Sequence, residues 1–355
     1  MKKFLFGIML VMLVTLTSCL SGLLPDDPDT VEKEPEIVQI ENEITEVYEK
    51  ISYGCVGIYA TGNSGASIGS GVVYKENNGT YYVVTNNHVV EKMTEYKVYR
   101  GGVKYYRATL VGTDAHNDIA VLTFSLDLFG GDEVYIHDIF NYDDENVKVG
   151  QTVLAIGCPL GLENYNTLTT GVVSKVTKNQ VQTNAEINPG NSGGGLFNMS
   201  GRLIGINTEK KTYTTATNDD GSTAQVPVEG IAYAISLSIV KQSIKDIESS
   251  GNDIIRPKLG ITVTAVNRYI SNDDYVKHLP NSNDAGILVI DAGNGSAYQA
   301  GVRTGDVILA MNGTSVFDLE DLSFFMSQVK VNDTVTLSIY RSSLGNVSEI
   351  SVVLK

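Results

Sequence analysis

The sequence predicts a mainly β protein: two successive sets of six short strands, followed by a smaller α+β domain. Three observations carry this. β-rich runs recur at 55–59, 67–74, 81–85, 96–100, 105–111 and 119–124, punctuated by turn residues such as Asn77-Asn78-Gly79 and Gly101-Gly102. A second set follows at 152–156, 167–176, 181–183, 194–197, 202–208 and 230–235. Residues 256–355 form a further domain with a helix at 319–328, which Asp318 can cap, and its α+β character is what the resemblance named below implies. Evenly spaced short strands with turn signals indicate a barrel or a sandwich. Two six-stranded barrels fit the pattern.

The N-terminus reads as a secretion signal. Lys2 and Lys3 precede an apolar core at 4–16. That core is shorter than the about 20 apolar residues that span a bilayer, so it suits a cleaved signal peptide. It ends in Leu16-Thr17-Ser18-Cys19, which looks like a bacterial lipobox. Cleavage before Cys19 would free a residue for acylation, and two or more chains on one residue anchor a protein stably. Residues 20–45 are acidic and proline-containing, the composition of a solvated tether. A short helix at 44–51 opens the folded part. The expected divisions are 1–19, signal peptide and lipobox; 20–45, tether; 46–250, the two barrels and a closing helix; and 256–355, the α+β domain. The closing helix is capped by Ser236 and carries Leu237, Val240, Ile244 and Ile247 at helical spacing. Gly251-Asn252 ends it.

The formal charge is −15, from 26 basic and 41 acidic residues. Such acidity argues against nucleic acid as a partner. After Cys19 only Cys55 and Cys158 remain, in different halves of the barrel region, so no disulfide framework is indicated and buried free thiols are expected. The four histidines are scattered, and no His, Cys or carboxylate cluster has metal-ligand spacing. Neither a metal nor another cofactor is expected.

Against this frame, Asn188-Pro189-Gly190-Asn191-Ser192-Gly193-Gly194 stands out. A serine among glycines, in a tight loop between apolar runs, lets a carbonyl approach main-chain N–H groups. Ser and Gly also fill ordinary turns, so the loop needs partners. His88 follows the strand-like Tyr81-Tyr82-Val83-Val84, and Asp118 opens Asp118-Ile119-Ala120-Val121-Leu122. The order His, Asp, Ser is one of the known orders of a catalytic triad. In it Ser192 is the nucleophile, His88 the base, and Asp118 the group that fixes the imidazole. The N–H groups of Gly190 and Ser192 are the oxyanion donors.

At these residues the chain resembles the HtrA/DegP family of trypsin-like serine proteases. Residues 85–90, 118–122 and 188–194 match its three triad motifs. Gly157-Cys158-Pro159-Leu160-Gly161 resembles the family's Gly-Asn-Pro-Leu-Gly, with Cys158 in place of Asn. Residues 203–208 and 230–235 resemble its last two barrel strands. The resemblance implies a chymotrypsin-like double six-stranded β-barrel followed by one PDZ domain (α+β). Gly295-Ser296-Ala297, Ala300-Gly301-Val302, Gly305-Asp306-Val307-Ile308-Leu309 and Asn312-Gly313 carry the PDZ likeness. Lys258, Leu259, Gly260 and Ile261 match the loop that binds a chain-terminal carboxylate. The strand from Ile261 would take the peptide by β-augmentation, with Leu322 and Met326 facing it. The implied activity is that of an extracytoplasmic serine endopeptidase, and the lipobox at Cys19 would make it a lipid-anchored lipoprotein at the cell membrane. Its implied substrates are unfolded or misfolded proteins, its implied PDZ ligands peptide C-termini, and its implied assembly a homotrimer.

The chain also departs from the family pattern. Glu186, six residues before Ser192, falls where trypsin-like enzymes place the floor of the primary specificity pocket. A buried carboxylate there would favour Lys or Arg, and Glu209 could add to it. Asn207, Thr208, Gly230, Ile231 and Ala232 are the remaining expected pocket residues. Two alternatives follow: a processing protease cutting after basic residues, and a chaperone with a latent protease site. The turn at 177–181 is shorter than the family's regulatory loop, and 209–229 is a long polar segment that could act as a lid. Asn184 replaces an Asp usual in the family, and Gly195 stands where Pro or Ala is common.

Overall fold

The computed structural model describes residues 36–63, 65–101, 104–126, 134–141, 147–210, 213–217, 223–227 and 229–355. The expected signal peptide, Cys19 and most of the expected tether lie outside them. The chain divides into two units, 1–44 and 45–355, and both barrels and the C-terminal domain belong to the second. Helix α1, Glu36–Ile51, begins well before the expected 44–51. Its sequence explains the extension. Ile37, Ile40, Ile44, Val47 and Ile51 keep helical spacing through the acidic stretch, so the final part of the expected tether is helix.

Strands β1 (Cys55–Gly62), β2 (Gly65–Asn77), β3 (Thr80–Thr85), β4 (Glu95–Arg100), β5 (Lys104–Asp114) and β6 (Ile119–Ser125) close a barrel in the order β1-β2-β3-β6-β5-β4. Alternate residues such as Val56 and Ile58, or Leu122 and Phe124, point inward and form its core. Strands β7 (Thr152–Gly157), β8 (Thr167–Val176), β9 (Gln180–Thr183), β10 (Gly195–Asn198), β11 (Leu203–Lys210) and β14 (Ala232–Ser236) close the second barrel in the order β10-β11-β14-β9-β8-β7. Val153, Ala155, Val181, Leu196 and Ile204 fill it. Closure leaves neither barrel an open edge. Between β11 and β14, the segment expected as an irregular lid contains a hairpin, β12 (Tyr213–Thr217) paired with β13 (Thr223–Pro227).

Helix α3, Leu237–Ser250, follows α2 (Asn87–Val90). It rests on both barrels rather than on the second alone, touching β5 and β6 as well as β11 and β14. Glu248 accepts hydrogen bonds from Tyr74 Oη at 2.7 Å and Lys75 Nζ at 2.6 Å, and Ser243 Oγ donates to Asp114 at 2.8 Å. Ser236 occupies the N-cap position, but its hydroxyl donates to the Lys178 carbonyl instead of capping the helix. Gly251, at φ 63°, closes the helix in the left-handed region.

His137 lies on the segment between the barrels. Its ring packs 4.8 Å from Tyr135 and 4.9 Å from Phe197, centroid to centroid, and Nε2 lies 3.1 Å from the Ile51 carbonyl. Burial lowers its pKa to about 3, against the smaller raising effect of that carbonyl. The folded protein therefore holds a neutral imidazole that the unfolded chain protonates near pH 6.5. Its stabilisation is complete above that pH and is lost as pH falls towards 3, with a slope of about 1.4 kcal/mol per pH unit for one proton. We expect His137→Gln to flatten the pH dependence of urea unfolding between pH 6 and 4 by up to that slope. An unchanged slope would contradict the assignment.

The C-terminal sheet runs β15-β16-β17-β19-β20: β15 Thr262–Asn267, β16 Ala285–Asp291, β17 Asp306–Met311, β19 Thr334–Arg341 and β20 Asn346–Val353. The short β18, Thr314–Ser315, pairs with β17. Three short helices precede or flank it: α4 (Asp273–Val276), α5 (Ser296–Ala300) and α6 (Leu319–Gln328). Asp318 caps α6 by accepting from the Asp321 N–H at 2.9 Å. A buried ion cluster joins this domain to the barrels. Arg256, its side chain 2% exposed, reaches Asp114 at 2.6 Å and Asp246 at 2.9 Å, and Lys330 reaches Asp246 at 2.8 Å.

Candidate active site

Each barrel supplies half of the site. At the end of β3, Asn86 precedes the single turn of α2, and its Nδ2 donates to the Asp118 carbonyl at 2.9 Å. This places His88 beside Asp118. The His88 backbone N–H donates to Asp118 Oδ1 at 2.9 Å, and Nδ1 lies 3.0 and 2.8 Å from Oδ1 and Oδ2. Asp118 sits at φ 54°, where Asp and Asn are the most tolerated residues after Gly. The turn before it is held by Asp114, which accepts from the Asn117 N–H and Nδ2 at 3.3 and 2.9 Å.

The serine loop comes from the second barrel. Asn191 N–H donates to the Asn188 carbonyl at 2.9 Å, closing a turn with Gly190 at φ 101°. A Cβ on Gly190 would lie 2.2 Å from the Cys158 carbonyl, so only glycine fits there. Ser70 of β2 clamps the loop from the other barrel. Its N–H donates to the Ser192 carbonyl at 2.8 Å, its Oγ donates to the Gly190 carbonyl at 2.7 Å, and that Oγ accepts from the Cys158 N–H at 2.9 Å. With both carbonyls held, the N–H groups of Gly190 and Ser192 have no acceptor among the described residues. Ser192 Oγ donates to the Thr208 carbonyl at 3.0 Å, and Thr208 Oγ1 donates to Asp118 Oδ2 at 2.8 Å. One network thus joins His88, Asp118, Thr208 and Ser192 across the two barrels. It can orient an imidazole, present a hydroxyl, and offer two free main-chain donors near that hydroxyl.

Comparison with known proteins agrees with this arrangement. A trypsin-like peptidase domain matches residues 69–206, and a PDZ domain matches residues 257–354. The Serine protease Do-like HtrA of Lactococcus lactis (strain IL1403) is 34% identical over 317 residues, covering 82% of this chain and 74% of that protein. The chain belongs to the HtrA/DegP family of serine proteases. The Bacillus subtilis Serine protease Do-like HtrA is 33% identical over 292 residues, covering 77% of this chain and 61% of that protein. Among solved structures, the serine endoprotease from Yersinia pestis aligns with a TM-score of 0.61 at 26% identity, covering 88% of this chain and 97% of its own. The HtrA-type protease AlgW with tripeptide aligns at 0.66, also at 26% identity and with the same coverage. The chain is therefore a serine-type endopeptidase with a chymotrypsin-like double barrel and one PDZ domain.

In this HtrA-type enzyme the expected pocket residues take different places. Glu186 is exposed and its Oε1 accepts from Asn188 Nδ2 at 2.9 Å, so it is not a buried pocket floor. A carboxylate that stays hydrated avoids the desolvation that burial would impose. Asn207 is fully buried, and its Nδ2 donates to the Gly195 carbonyl at 3.1 Å, bracing the serine loop. Thr208, expected in the pocket, instead bridges Ser192 and Asp118, contacts the sequence did not reveal. Ala232 is buried on β14, with Gly230 and Ile231 just before it. The side chain of Glu209 lies outside the described residues. Cys55 and Cys158 are buried free thiols, and burial raises the pKa of both.

The PDZ residues form a groove. Strand β15 is the free edge of its sheet, and Leu259, Gly260 and Ile261 lead into it. Their three N–H groups have no acceptor among the described residues. Lys258 to Ile261 line one side of a cavity of about 740 Å³, and Leu322 and Met326 of α6 line the other. The short turn at 177–181 touches the same helix, with Lys178 Nζ 2.6 Å from Asp321 and Asn179 Nδ2 3.2 Å from the Glu320 carbonyl.

Proposed function

We propose that this protein is a membrane-tethered, extracytoplasmic endopeptidase of misfolded or damaged proteins, working by acyl-enzyme chemistry. The network running from His88 through Asp118 and Thr208 to Ser192 is the observation that carries the reading. As a substrate binds, the Ser192 hydroxyl turns from the Thr208 carbonyl to His88 Nε2. His88 takes its proton as Oγ attacks the scissile carbonyl, and later gives a proton to the leaving amine. Asp118 stabilises the imidazolium meanwhile. The oxyanion accepts from the Gly190 and Ser192 N–H groups. Water then hydrolyses the acyl-enzyme by the same steps.

A Bartonella henselae relative, 33% identical, is called a probable periplasmic serine endoprotease. Its name and the N-terminal pattern ending at Cys19 support placement outside the cytoplasm on a lipid anchor. Among the described residues no helix is long and apolar enough to cross a membrane. The family resemblance supports a homotrimer, and the β15 edge supports capture of peptide C-termini. The exposure of Glu186 gives no support to a narrow basic-site preference.

The deciding experiment incubates the full chain with unfolded casein, beside Ser192→Ala. Cleavage lost only in the variant is expected. No cleavage by either, with aggregation suppressed by both, would replace this reading with that of a latent chaperone. A finer test concerns the clamp on the serine loop. Ser70→Ala frees the Gly190 carbonyl, so the oxyanion peptide is no longer held. We expect kcat to fall about 10- to 100-fold with KM nearly unchanged, since the loss falls on the transition state. A rise in KM at constant kcat would show instead that Ser70 supports substrate binding.

A further inference from the structure

Two strands reach the serine loop from opposite sides. From one side comes β11, whose Thr208 carbonyl accepts from Ser192 Oγ. With its neighbour β14 it carries Asn207, Thr208 and Ala232, residues expected on the acyl side of the cut. From the other side comes β2, whose Ser70 N–H donates to the Ser192 carbonyl at 2.8 Å. A polypeptide laid across Ser192 with its acyl part along β11 carries its leaving part past Gly190 towards β2.

On that leaving side β2 has an open edge. It pairs with β1 from Gly65 to Val72, but β3 covers its other edge only from Val72 to Asn77. Ser70 uses this edge to reach the serine loop. Main-chain groups two residues apart on a strand point the same way, so the N–H and carbonyl of Ile68 lie on the edge that Ser70 uses. Neither makes a hydrogen bond outside the β1 ladder among the described residues. The Ile68 side chain is exposed, on the same face of β2 as the Ser70 hydroxyl.

Leu160 stands on the other flank. Its N–H donates to the Pro189 carbonyl at 2.7 Å, and that nitrogen would lie 3.0 Å from a Cβ on Gly190. The turn is well held. The Cys158 N–H ties it to the Ser70 hydroxyl, and Asn164 Nδ2 donates to the Pro159 carbonyl at 2.9 Å. Leu160 itself sits at φ 63° with its side chain 72% exposed. A branched apolar residue is strained in that region of backbone space, and such strain collects at functional sites. Neither burial nor backbone preference accounts for a leucine here.

We propose that the β2 edge at Ile68 and the Leu160 side chain form a subsite for the leaving side of the substrate, selective for a large apolar residue at the second position after the cut. The inference rests on the endopeptidase reading above and deepens it. The occupant is the substrate's own extended chain, because edge and leucine are continuous with the loop on which that chain is cut. Ile68 lies two residues along the edge from Ser70, about 7 Å, which is the span of two residues of an extended chain. The second leaving residue therefore exchanges main-chain hydrogen bonds with Ile68, and its side chain packs on Leu160. Large apolar residues are those that a folded protein buries. A subsite of this kind favours chains that have lost their fold.

The test uses the full chain and internally quenched peptides built on a segment of unfolded casein that the enzyme cuts. They differ only at the second residue after the cut, Leu or Ser, and kcat/KM is read for each. The native enzyme is expected to favour Leu about tenfold, the scale on which an apolar subsite discriminates. Leu160→Asn suits the positive φ and removes the apolar wall, so it should bring the ratio below about twofold, while Leu160→Met should keep it. The ratio compares two substrates in one preparation, so a partly folded variant still reports it. A peptide N-methylated at the second leaving residue should lose about tenfold in kcat/KM. N-methylation at the third, whose N–H points away from β2, should cost little. Equal cleavage of the Leu and Ser peptides by the native enzyme would overturn the inference and leave the endopeptidase reading intact. So would a preference that survives in Leu160→Asn, or an equal loss from the two N-methylated peptides. If casein itself is not cut, the endopeptidase reading fails and the inference with it.

Discussion

Ser192→Ala is expected to lower kcat about a millionfold while leaving the fold intact. The variant removes one oxygen from a half-buried site. The hydrogen bond lost is that to the Thr208 carbonyl, while the loop keeps its Ser70, Leu160 and Asn207 contacts. Melting should therefore shift by no more than a few degrees. On the proposed mechanism what disappears is the covalent route, because His88 and Asp118 then have no hydroxyl to activate. Some acceleration over water remains, from the oxyanion donors and from substrate binding. The variant should still bind unfolded casein. Retained cleavage in a preparation free of contaminating protease would refute the assignment of Ser192.

Asp118→Asn is expected to cost about 10,000-fold in kcat, with little change in KM. The carboxylate accepts from three donors: the His88 N–H, His88 Nδ1 and Thr208 Oγ1. An amide keeps the shape and suits the φ of 54° at this position, so the turn should survive. It offers one acceptor oxygen and an NH₂ in place of the second. If the NH₂ faces Nδ1, the imidazole must carry its proton on Nε2, the side that should receive the proton of Ser192. The base is then in the wrong tautomer. A loss in KM with kcat preserved would mean that Asp118 supports substrate binding rather than the imidazole.

Much of this architecture is legible because barrel strands write themselves as short β-rich runs between turn residues. The twelve barrel strands and α3 and α6 appear near their expected positions. His88, Asp118 and Ser192 are legible as candidates because each lies next to a strand end marked by Gly, Asn or Asp. The misses share a physical cause: they depend on what lies opposite in space. Thr208 looks like any strand threonine until Asp118 and Ser192 close on it. Ser70 looks like any residue of a glycine-rich strand, yet its hydroxyl spans the two barrels. Glu186 sits at a spacing that suggests a pocket floor, and only the fold shows its carboxylate turned to solvent beside Asn188. The full length of α1 is hidden in the sequence because the acidic residues read as tether while the isoleucine spacing continues beneath them.

The bonds from Ser70 to the serine loop and from Thr208 to Asp118 run between barrels, not within one. Neither barrel holds a working site by itself. During synthesis the first barrel can close around its own core while the serine loop is still missing. The second can close while its serine loop lacks the Ser70 clamp. On the proposed mechanism, proteolytic power therefore arrives last, when the two halves dock, and a half-folded chain is spared the damage it would otherwise inflict on its neighbours and on itself.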